Sequence, residues 1–256
     1  MLACRRVKLR GCGPSFFFTM EYKHLIKELE PKPGEYVQLI DVMPHPSTNV
    51  WPETAVVNAA RVSYLGESKG EEADLKLLKY LLKHRHTSPF EHVIFKFRIT
   101  APVVVWWQWV RHRTWSFNFQ SGRYVEFDET QVWDPMFWRL QSKSSKQGSD
   151  GYVDDETEQE LNQLWDDAQQ AAMRNYRFAL DKEVAKEQAR LFLPGFAMMY
   201  QAICTIDAHN LMHFLDLRMQ KDAQYEIRMY ANEIFEIFNK FMPNTAAWLR
   251  ESIALP

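Results

Sequence analysis

One stretch of the chain concentrates basic and hydrogen-bonding side chains. Arg111, His112 and Arg113 are consecutive, follow an apolar run at 102–107, and precede Ser121. Arginine carries a planar, always-charged fork that matches a phosphate group bidentately. An arbitrary basic triplet is most often a solvated turn. Here the triplet ends a buried-looking segment and carries polar residues at a fixed spacing, so the pattern favours an anion-binding site.

A glycine and a further arginine complete the stretch. Ser121, Gly122, Arg123 and Tyr124 are consecutive, and a Ser-Gly pair lets backbone N–H groups approach an oxyanion closely. Arg-His-Arg, seven residues and then Ser is the signature of the flavin-dependent thymidylate synthases. This sequence resembles that signature from Arg111 to Ser121.

The resemblance implies a fold, an assembly and a reaction. It begins near residue 35 and includes a segment at 86–92 as well as Arg190 and Arg218, in the family's order. The implied fold is α+β, a single domain with a small antiparallel or mixed sheet and several long helices. The implied assembly is a homotetramer that binds FAD noncovalently in sites shared between subunits. The implied reaction methylates dUMP to dTMP, with 5,10-methylenetetrahydrofolate as one-carbon donor and NADPH-reduced FAD as hydride source.

A dUMP site follows from the same resemblance. A nucleotide monophosphate needs positive charges and several N–H donors, and the pyrimidine carbonyls need amide or guanidinium partners. Arg218 is the expected catalytic residue, because its cation can stabilise the anion that forms when N3 of the ring loses its proton. Taken alone, Arg190 and Arg218 fit a helix-end charge equally well. The expected dUMP-binding residues are Gln108, Arg111, Gln120, Ser121, Gly122, Arg123, Arg190 and Arg218.

An FAD site is implied by the resemblance alone, because the chain has no G-x-G-x-x-G fingerprint. Arginines and backbone amides suit the pyrophosphate, and histidines can stack on or hydrogen-bond the isoalloxazine. The expected FAD-binding residues are Ser63, His86, Ser88, Arg111, His112, Arg113, Asp207, His209 and His213.

The chain departs from the family pattern at two places. Many members carry glutamate or glutamine two residues before the motif serine, where this chain has Phe119. Gln120 is adjacent, but successive side chains of an extended segment point in opposite directions. Many members also have Asn, Arg and Asn where this chain has Asp207, His209 and His213, a known variant within the family. Phe119 motivates a second hypothesis, a nucleotide- or flavin-binding homologue without synthase turnover.

Metal and thiolate chemistry are less favoured by the sequence. His84 and His86 could supply two metal ligands, and so could His209 and His213 at their i, i+4 spacing. No cysteine lies near either pair, and no metal site is expected. Cys204 lies in an apolar, helix-like run, which favours a small buried residue over a nucleophile.

Composition limits the partners. The net charge is -2 and the pI is about 6.5, which argues against binding to nucleic acid or membrane through bulk charge. Three cysteines without a CxxC pair favour a reducing compartment, and we expect a cytoplasmic protein with small-molecule substrates. A third hypothesis is a single-stranded nucleic-acid binder that stacks bases on Trp106, Trp107, Trp109 and Trp115. Packing of these rings in the core is the competing interpretation.

The first residues differ from the rest. Residues 1–19 contain no acidic residue and several basic ones, as in an organelle-targeting extension. A translated upstream region with the true start at Met20 is the favoured alternative, because the resemblance begins near Glu35. We expect 1–19 to be an extension that is disordered or outside the fold, and 20–256 to form one domain.

Hydrophobic periodicity places the candidate residues on secondary structure. Strands are predicted at 36–43 and 93–99, and a surface loop at 142–151. Helices are predicted at 51–64, 71–84, 103–110, 182–192, 206–217 and 222–241, with a further long helix beginning at 154–155. The residues expected to form the buried stripe of that long helix are Leu161, Leu164, Trp165, Ala168 and Ala172.

Overall fold

The computed structural model describes residues 36–254, and the extension expected at 1–19 lies outside this range. The strands are β1 (Val37–Met43), β2 (Ile94–Pro102), β3 (Ser116–Phe119), β4 (Arg139–Gln141), β5 (Ser149–Tyr152) and β6 (Met199–Asp207). The α-helices are α1 (Pro52–Arg61), α2 (Glu71–Lys83), α3 (Val103–Trp109), α4 (Asp155–Asp181), α5 (Lys186–Ala189), α6 (Ala208–Arg218), α7 (Tyr225–Phe241) and α8 (Pro243–Ala254). The predicted α+β class is confirmed.

Four strands form the main sheet in the order β1-β2-β6-β3. Every neighbouring pair is antiparallel, so of the two predicted alternatives the sheet is antiparallel rather than mixed. Phe95, Phe97 and Ile99 of β2 are fully buried on one face, while Lys96 and Arg98 are exposed on the other. The alternation predicted for this strand is confirmed, although β2 continues three residues further, to Pro102.

The central strand β6 corrects one expectation. The run that contains Cys204 is a strand, not a helix-like segment, and the predicted helix at 206–217 begins only at Ala208. Ladders to β2 on one side and β3 on the other use the backbone groups of this segment, which favours the extended form. Cys204 is fully buried, and burial raises the pKa of its thiol to about 12. Its expected role as a small buried residue is confirmed.

Helices cover the apolar face of the sheet and enclose the main core. The last helix, α8, begins at Pro243, just after the end predicted for the helix at 222–241; proline suits the first turn of a helix. Glu53 of α1 holds the start of α8. Its carboxylate accepts hydrogen bonds from the Thr245 backbone N–H at 2.7 Å, the Thr245 hydroxyl at 2.8 Å and Asn244 Nδ2 at 2.8 Å. Burial raises the pKa of this carboxyl group.

The long helix α4 begins where predicted but buries different residues. Leu164 is 64% exposed and Ala168 is exposed, so the predicted stripe is wrong for both. The buried residues lie nearer the end of the helix, at Met173, Tyr176 and Ala179. The first half of α4 lies beside the loop at 133–138, which contacts it through two tryptophan hydrogen bonds rather than through a wide apolar face.

Two further segments differ from their predicted forms. The helix predicted at 182–192 is reduced to α5 and a 3-10 turn at Arg190–Phe192, because Glu183 adopts a positive φ of 57° directly after α4. The loop predicted at 142–151 ends earlier, since Ser149–Tyr152 forms β5 and pairs with β4 in a two-stranded antiparallel sheet. Residues 142–148 connect the two strands.

Candidate active site

Helix α3 anchors the basic motif in the aromatic core. Trp109, its last residue, is fully buried; its ring stacks on Phe214 of α6 at 5.0 Å and meets Trp115 edge-on at 5.5 Å. Trp106 is also buried, whereas Trp107 is 63% exposed. Three of the four tryptophans proposed as stacking platforms for nucleic acid therefore fill the core, which contradicts that hypothesis. The motif leaves the helix directly after Trp109 and reaches the surface.

Arg218 and His112 meet although they are 106 positions apart. Arg218, the last residue of α6, donates a hydrogen bond from Nε to Nε2 of His112 at 2.8 Å. His112 is buried, with its ring 5.0 Å from that of Phe214 and 6.2 Å from that of His213. Because Nε2 accepts this bond, the imidazole is neutral and carries its proton on Nδ1.

The electrostatics of this pair leave a positive charge available. Burial lowers the pKa of His112 to about 4, and the charge of Arg218 and then that of His213 contribute to the same shift. A carboxylate in the place of His112 would orient Arg218 but also neutralise it. A neutral imidazole orients the guanidinium and leaves its charge uncompensated. The pair can therefore present a fixed cation to an anion that develops beside it.

The pH dependence of stability should report the neutral state of His112. The folded pKa of about 4 lies below the ordinary 6.5, so between these values the unfolded chain binds a proton that the folded chain does not. We expect the contribution of His112 to stability to be complete above pH 6.5 and to be lost as the pH falls through about 4. When the pH is lowered from 7 to about 4, the midpoint of thermal unfolding should therefore fall more in the wild type than in His112→Gln. The amide oxygen of glutamine can accept the same hydrogen bond but does not titrate. Equal falls in both proteins would contradict this assignment.

Gly122 brings the motif against Arg190. A Cβ atom at Gly122 would lie 2.6 Å from Cε2 of Phe127 and 3.5 Å from Cδ of Arg190. Phe127 is itself buried, so a larger residue at this position would have to displace its ring. The absence of a side chain thus lets the backbone after Ser121 approach the arginine closely.

Glu187 of α5 connects two arginines of the expected dUMP site. Its carboxylate pairs with Nε of Arg123 at 3.1 Å, and its backbone carbonyl accepts a hydrogen bond from Nε of Arg190 at 3.3 Å. The Arg123 backbone N–H also donates to Oγ of Ser121 at 3.3 Å. Both side chains of the ion pair are more than half exposed, so the pair is weak and Arg123 can exchange this partner for a phosphate.

A cavity of about 380 Å³ lies between α3 and the turn that carries Arg190. Phe119 lines it, and its ring contacts that of Trp106 edge-on at 4.8 Å. The residue at which this chain departs from the family pattern therefore contributes an aromatic ring to the cavity wall. Other aromatic, amide and cationic lining residues are Trp107, Tyr200, Gln120 and Arg190. Aromatic walls beside a guanidinium suit an anion that carries a planar ring.

The expected dUMP residues of one chain do not all meet. Arg190 and Gln120 line the cavity, whereas Arg218 does not and is paired with His112. Gln108, near the end of α3, hydrogen-bonds instead to Gln224. One chain thus presents two separate parts of the predicted dUMP site.

The expected FAD residues fall on neighbouring elements. Ser63 is exposed in a 3-10 turn that follows α1, and Ser88 begins a second 3-10 turn, Ser88–His92. This second turn packs against both α1 and α6. His86 precedes it, with its ring edge-on to that of Tyr80 at 5.7 Å.

The chemistry of this set fits a flavin dinucleotide. Arg111, Arg113 and His213 are exposed, so cationic and imidazole groups are accessible to a pyrophosphate and a ring system. The one acidic residue expected in the set, Asp207, caps α6: its oxygens accept from Asn210 N at 2.9 Å and Asn210 Nδ2 at 2.7 Å. Its charge is thereby directed to the helix start rather than to the anion.

The hypothesis of a metal site requires a cluster of metal-ligating side chains in the part of the chain that the structure describes. No group of three or more His, Cys, Asp or Glu side chains in residues 36–254 could hold a metal ion. The rings of His84 and His86 are 6.3 Å apart. None of the described helices has both the length and the apolar character needed to cross a membrane.

Comparison with known proteins identifies the family. A family model described as "Thymidylate synthase complementing protein" matches residues 39–244. A flavin-dependent thymidylate synthase of Thermus thermophilus is 44% identical over 213 residues, which cover 83% of this chain and 74% of that protein. The chain belongs to the flavin-dependent thymidylate synthase family. The resemblance inferred from the Arg-His-Arg motif is thereby confirmed.

Other members of the flavin-dependent thymidylate synthase family are similar over comparable lengths. The Kosmotoga olearia enzyme is 39% identical over 210 residues, covering 82% of this chain and 87% of that protein. Among solved structures, a UMP/dUMP methylase PolB from Streptomyces cacaoi, bound with 5-Br dUMP, is 33% identical with a TM-score of 0.72. The match covers 82% of this chain and 92% of that one.

Sequence reasoning missed three residues at the edge of the candidate site. Gln224, Glu226 and Arg139 form a hydrogen-bonded chain that ends on Gln108. Gln224 and Glu226 precede and begin a helix, where polar residues are ordinarily solvated. Arg139 comes from a short strand that was not predicted. No local signal in the sequence distinguishes these residues from surface side chains.

Proposed function

We propose that the protein methylates dUMP to dTMP, with 5,10-methylenetetrahydrofolate as carbon donor and FAD, reduced by NADPH, as hydride source. The observation that carries the proposal is the Arg218–His112 pair, in which a neutral partner orients an uncompensated guanidinium. The names of relatives support it: several are called flavin-dependent thymidylate synthases, and the Streptomyces protein is called a UMP/dUMP methylase.

The arginines on the two parts of the site would contact different groups of the nucleotide. Arg190 and Arg123 would bind the phosphate, together with the backbone N–H groups around Ser121 and Gly122. Arg218 would face the pyrimidine and stabilise the negative charge that appears on the ring when N3 loses its proton. That charge raises the electron density at C5. This carbon would bond to the methylene carbon and lose its proton, while the bonds from the methylene carbon to the folate nitrogens break and tetrahydrofolate is released.

The FAD-binding role remains assigned to the residues named from the sequence. Arg111 and Arg113 would bind the pyrophosphate, while His209 and His213 would contact the ring system, with Ser63, His86, Ser88, His112 and Asp207 around them. Bound there in its reduced form, FAD would supply the hydride that converts the transferred methylene group to a methyl group. Exclusion of water and orientation of both substrates are the contributions of the protein.

A homotetramer with shared sites would explain the division of the dUMP residues within one chain. Large apolar side chains are exposed next in sequence to residues of the expected dUMP site or of the cavity wall. Leu191 follows Arg190 and is 81% exposed, Tyr124 follows Arg123 and is 81% exposed, and Phe196 follows Gly195 and is 58% exposed. Such a surface is typical of a contact between copies. A neighbouring copy could bring its Arg218 to the Arg190 cavity. The substrates would be small molecules, and we propose a cytoplasmic location.

Anaerobic turnover tests the proposal. Purified protein is incubated with dUMP, methylenetetrahydrofolate, FAD and NADPH, and each component is omitted in turn while dTMP is measured by chromatography. The proposal requires dTMP formation that depends on every component. The alternative of a binding homologue without turnover, motivated by Phe119, requires bound flavin and NADPH oxidation without dTMP. In that case Phe119→Glu should restore synthesis.

A further inference from the structure

A chain of hydrogen bonds runs from a buried ion pair to Gln108. Nη2 of Arg139 donates to Oε1 of Glu226 at 2.7 Å, and Nε2 of Gln224 donates to the other oxygen of Glu226 at 2.7 Å. Nε2 of Gln108 in turn donates to Oε1 of Gln224. We call these four residues the amide relay. They come from β4, from α7 and the residue before it, and from α3.

The ion pair is firmly held. Glu226 is buried, and only 21% of the Arg139 side chain is exposed. The Arg139 guanidinium also lies 5.6 Å from the ring centre of Phe137 and 5.1 Å from that of Tyr225. Both side chains are largely buried, so loss of either partner would leave the other charge poorly solvated and without compensation, which is unfavourable. The charged end of the relay is therefore fixed.

The charges determine how both amides are turned. Arginine can only donate, and a carboxylate can only accept. The NH2 group of Gln224 must therefore face Glu226, so its carbonyl oxygen faces Gln108. The NH2 group of Gln108 must then face Gln224, which directs the Gln108 carbonyl oxygen away from the relay. Within residues 36–254, no side chain or backbone group donates to that oxygen.

We propose that the relay positions Gln108 so that its carbonyl oxygen accepts a hydrogen bond from an N–H or O–H group of the nucleotide. This rests on the proposed function and on the place of Gln108 among the dUMP-binding residues that the family resemblance implies. A phosphate dianion has no proton to donate, so the oxygen is matched instead to N3–H of the uracil or to the sugar hydroxyl. Gln224, Glu226 and Arg139 are positioning residues that need not touch the nucleotide.

Nucleotide affinity tests the relay. The dissociation constant of dUMP is measured by calorimetry on flavin-loaded wild type, Gln108→Leu, Gln224→Leu and the double variant. Each single change should weaken dUMP binding by about 3- to 10-fold, the equivalent of one hydrogen bond. The double variant should be no weaker than Gln108→Leu, because both changes remove the same interaction. Gln163→Leu, which removes an exposed glutamine of α4, is the matched control and should bind dUMP normally.

Two analogues of dUMP show which of its groups donates to Gln108. One analogue lacks the 3′-hydroxyl group, and the other carries a methyl group on N3 of the uracil. The analogue that lacks the relevant donor should bind wild type more weakly than dUMP does, and this difference should shrink in Gln224→Leu. A merely structural role of Gln224 would leave the difference unchanged.

The outcomes separate the two proposals. Wild-type binding of dUMP that Gln224→Leu leaves unaltered, or additive losses in the double variant, would overturn the relay and leave the proposed function standing. Failure of the wild type itself to bind dUMP would overturn the proposed function, and the role of the relay with it.

Discussion

Replacement of Arg218 by alanine is expected to lower the rate of dTMP formation by about 100-fold or more, the effect of removing one preorganised group that stabilises charge in the transition state. His112 leaves the Arg218 charge uncompensated, so the whole cation is available to the pyrimidine anion. The effect should fall mainly on kcat, because the charge on the ring is fully developed only during reaction.

A second arginine provides the control for this prediction. Arg250 lies on α8 and pairs with Glu236 at 3.2 Å, with both side chains more than half exposed. Arg250→Ala should therefore retain activity, while Arg218→Ala should retain its fold and its flavin spectrum. Similar rates for Arg218→Ala and the wild type would contradict the role assigned to Arg218.

Replacement of Trp109 by alanine is expected to destabilise the protein by about 3–5 kcal/mol, the usual cost of emptying a buried aromatic site. Its ring is fully buried and packs against Phe214, Trp115, Trp106 and Tyr230. Because these residues support the start of the Arg-His-Arg motif, flavin binding should weaken together with stability. Chemical denaturation, followed by fluorescence and by flavin release, measures both effects.

Trp109→Phe is the matched variant. The Nε1–H of Trp109 has no hydrogen-bond partner among the described residues, so phenylalanine removes volume but breaks no hydrogen bond. We expect it to cost clearly less than alanine. Equal losses for the two variants would show that aromatic packing is not what Trp109 contributes.

Local sequence patterns are sufficient to predict the helices and strands that have one clearly apolar face. Phe95, Phe97 and Ile99 alternate with charged residues, so β2 can be predicted from period alone. Helix α2 can be predicted within one residue of its observed end because its apolar residues recur at helical spacing. Strand β6 cannot, because Ile203 on its open face is apolar like Ala202 and Cys204 on its buried face. Two-sided pairing within the sheet, which no local window contains, decides its form.

The site shows the same division between local and long-range information. Residue types around Arg111 and Ser121 predict an anion site from the sequence alone. The contact of Arg218 with His112 joins the ends of two helices that are distant in sequence, so the neutral partner of the arginine could not be predicted. The orientation of the Gln108 side-chain amide likewise depends on the Arg139–Glu226 ion pair, which other elements contribute.

A single-turnover experiment tests the central claim most directly. The bound flavin is reduced in the absence of NADPH and oxygen, and the protein is then mixed with dUMP and methylenetetrahydrofolate. We predict that the flavin is reoxidised as dTMP appears, in equal amounts. Reoxidation without dTMP, or dTMP formation while the flavin remains reduced, would contradict flavin-dependent methylation of dUMP by this protein.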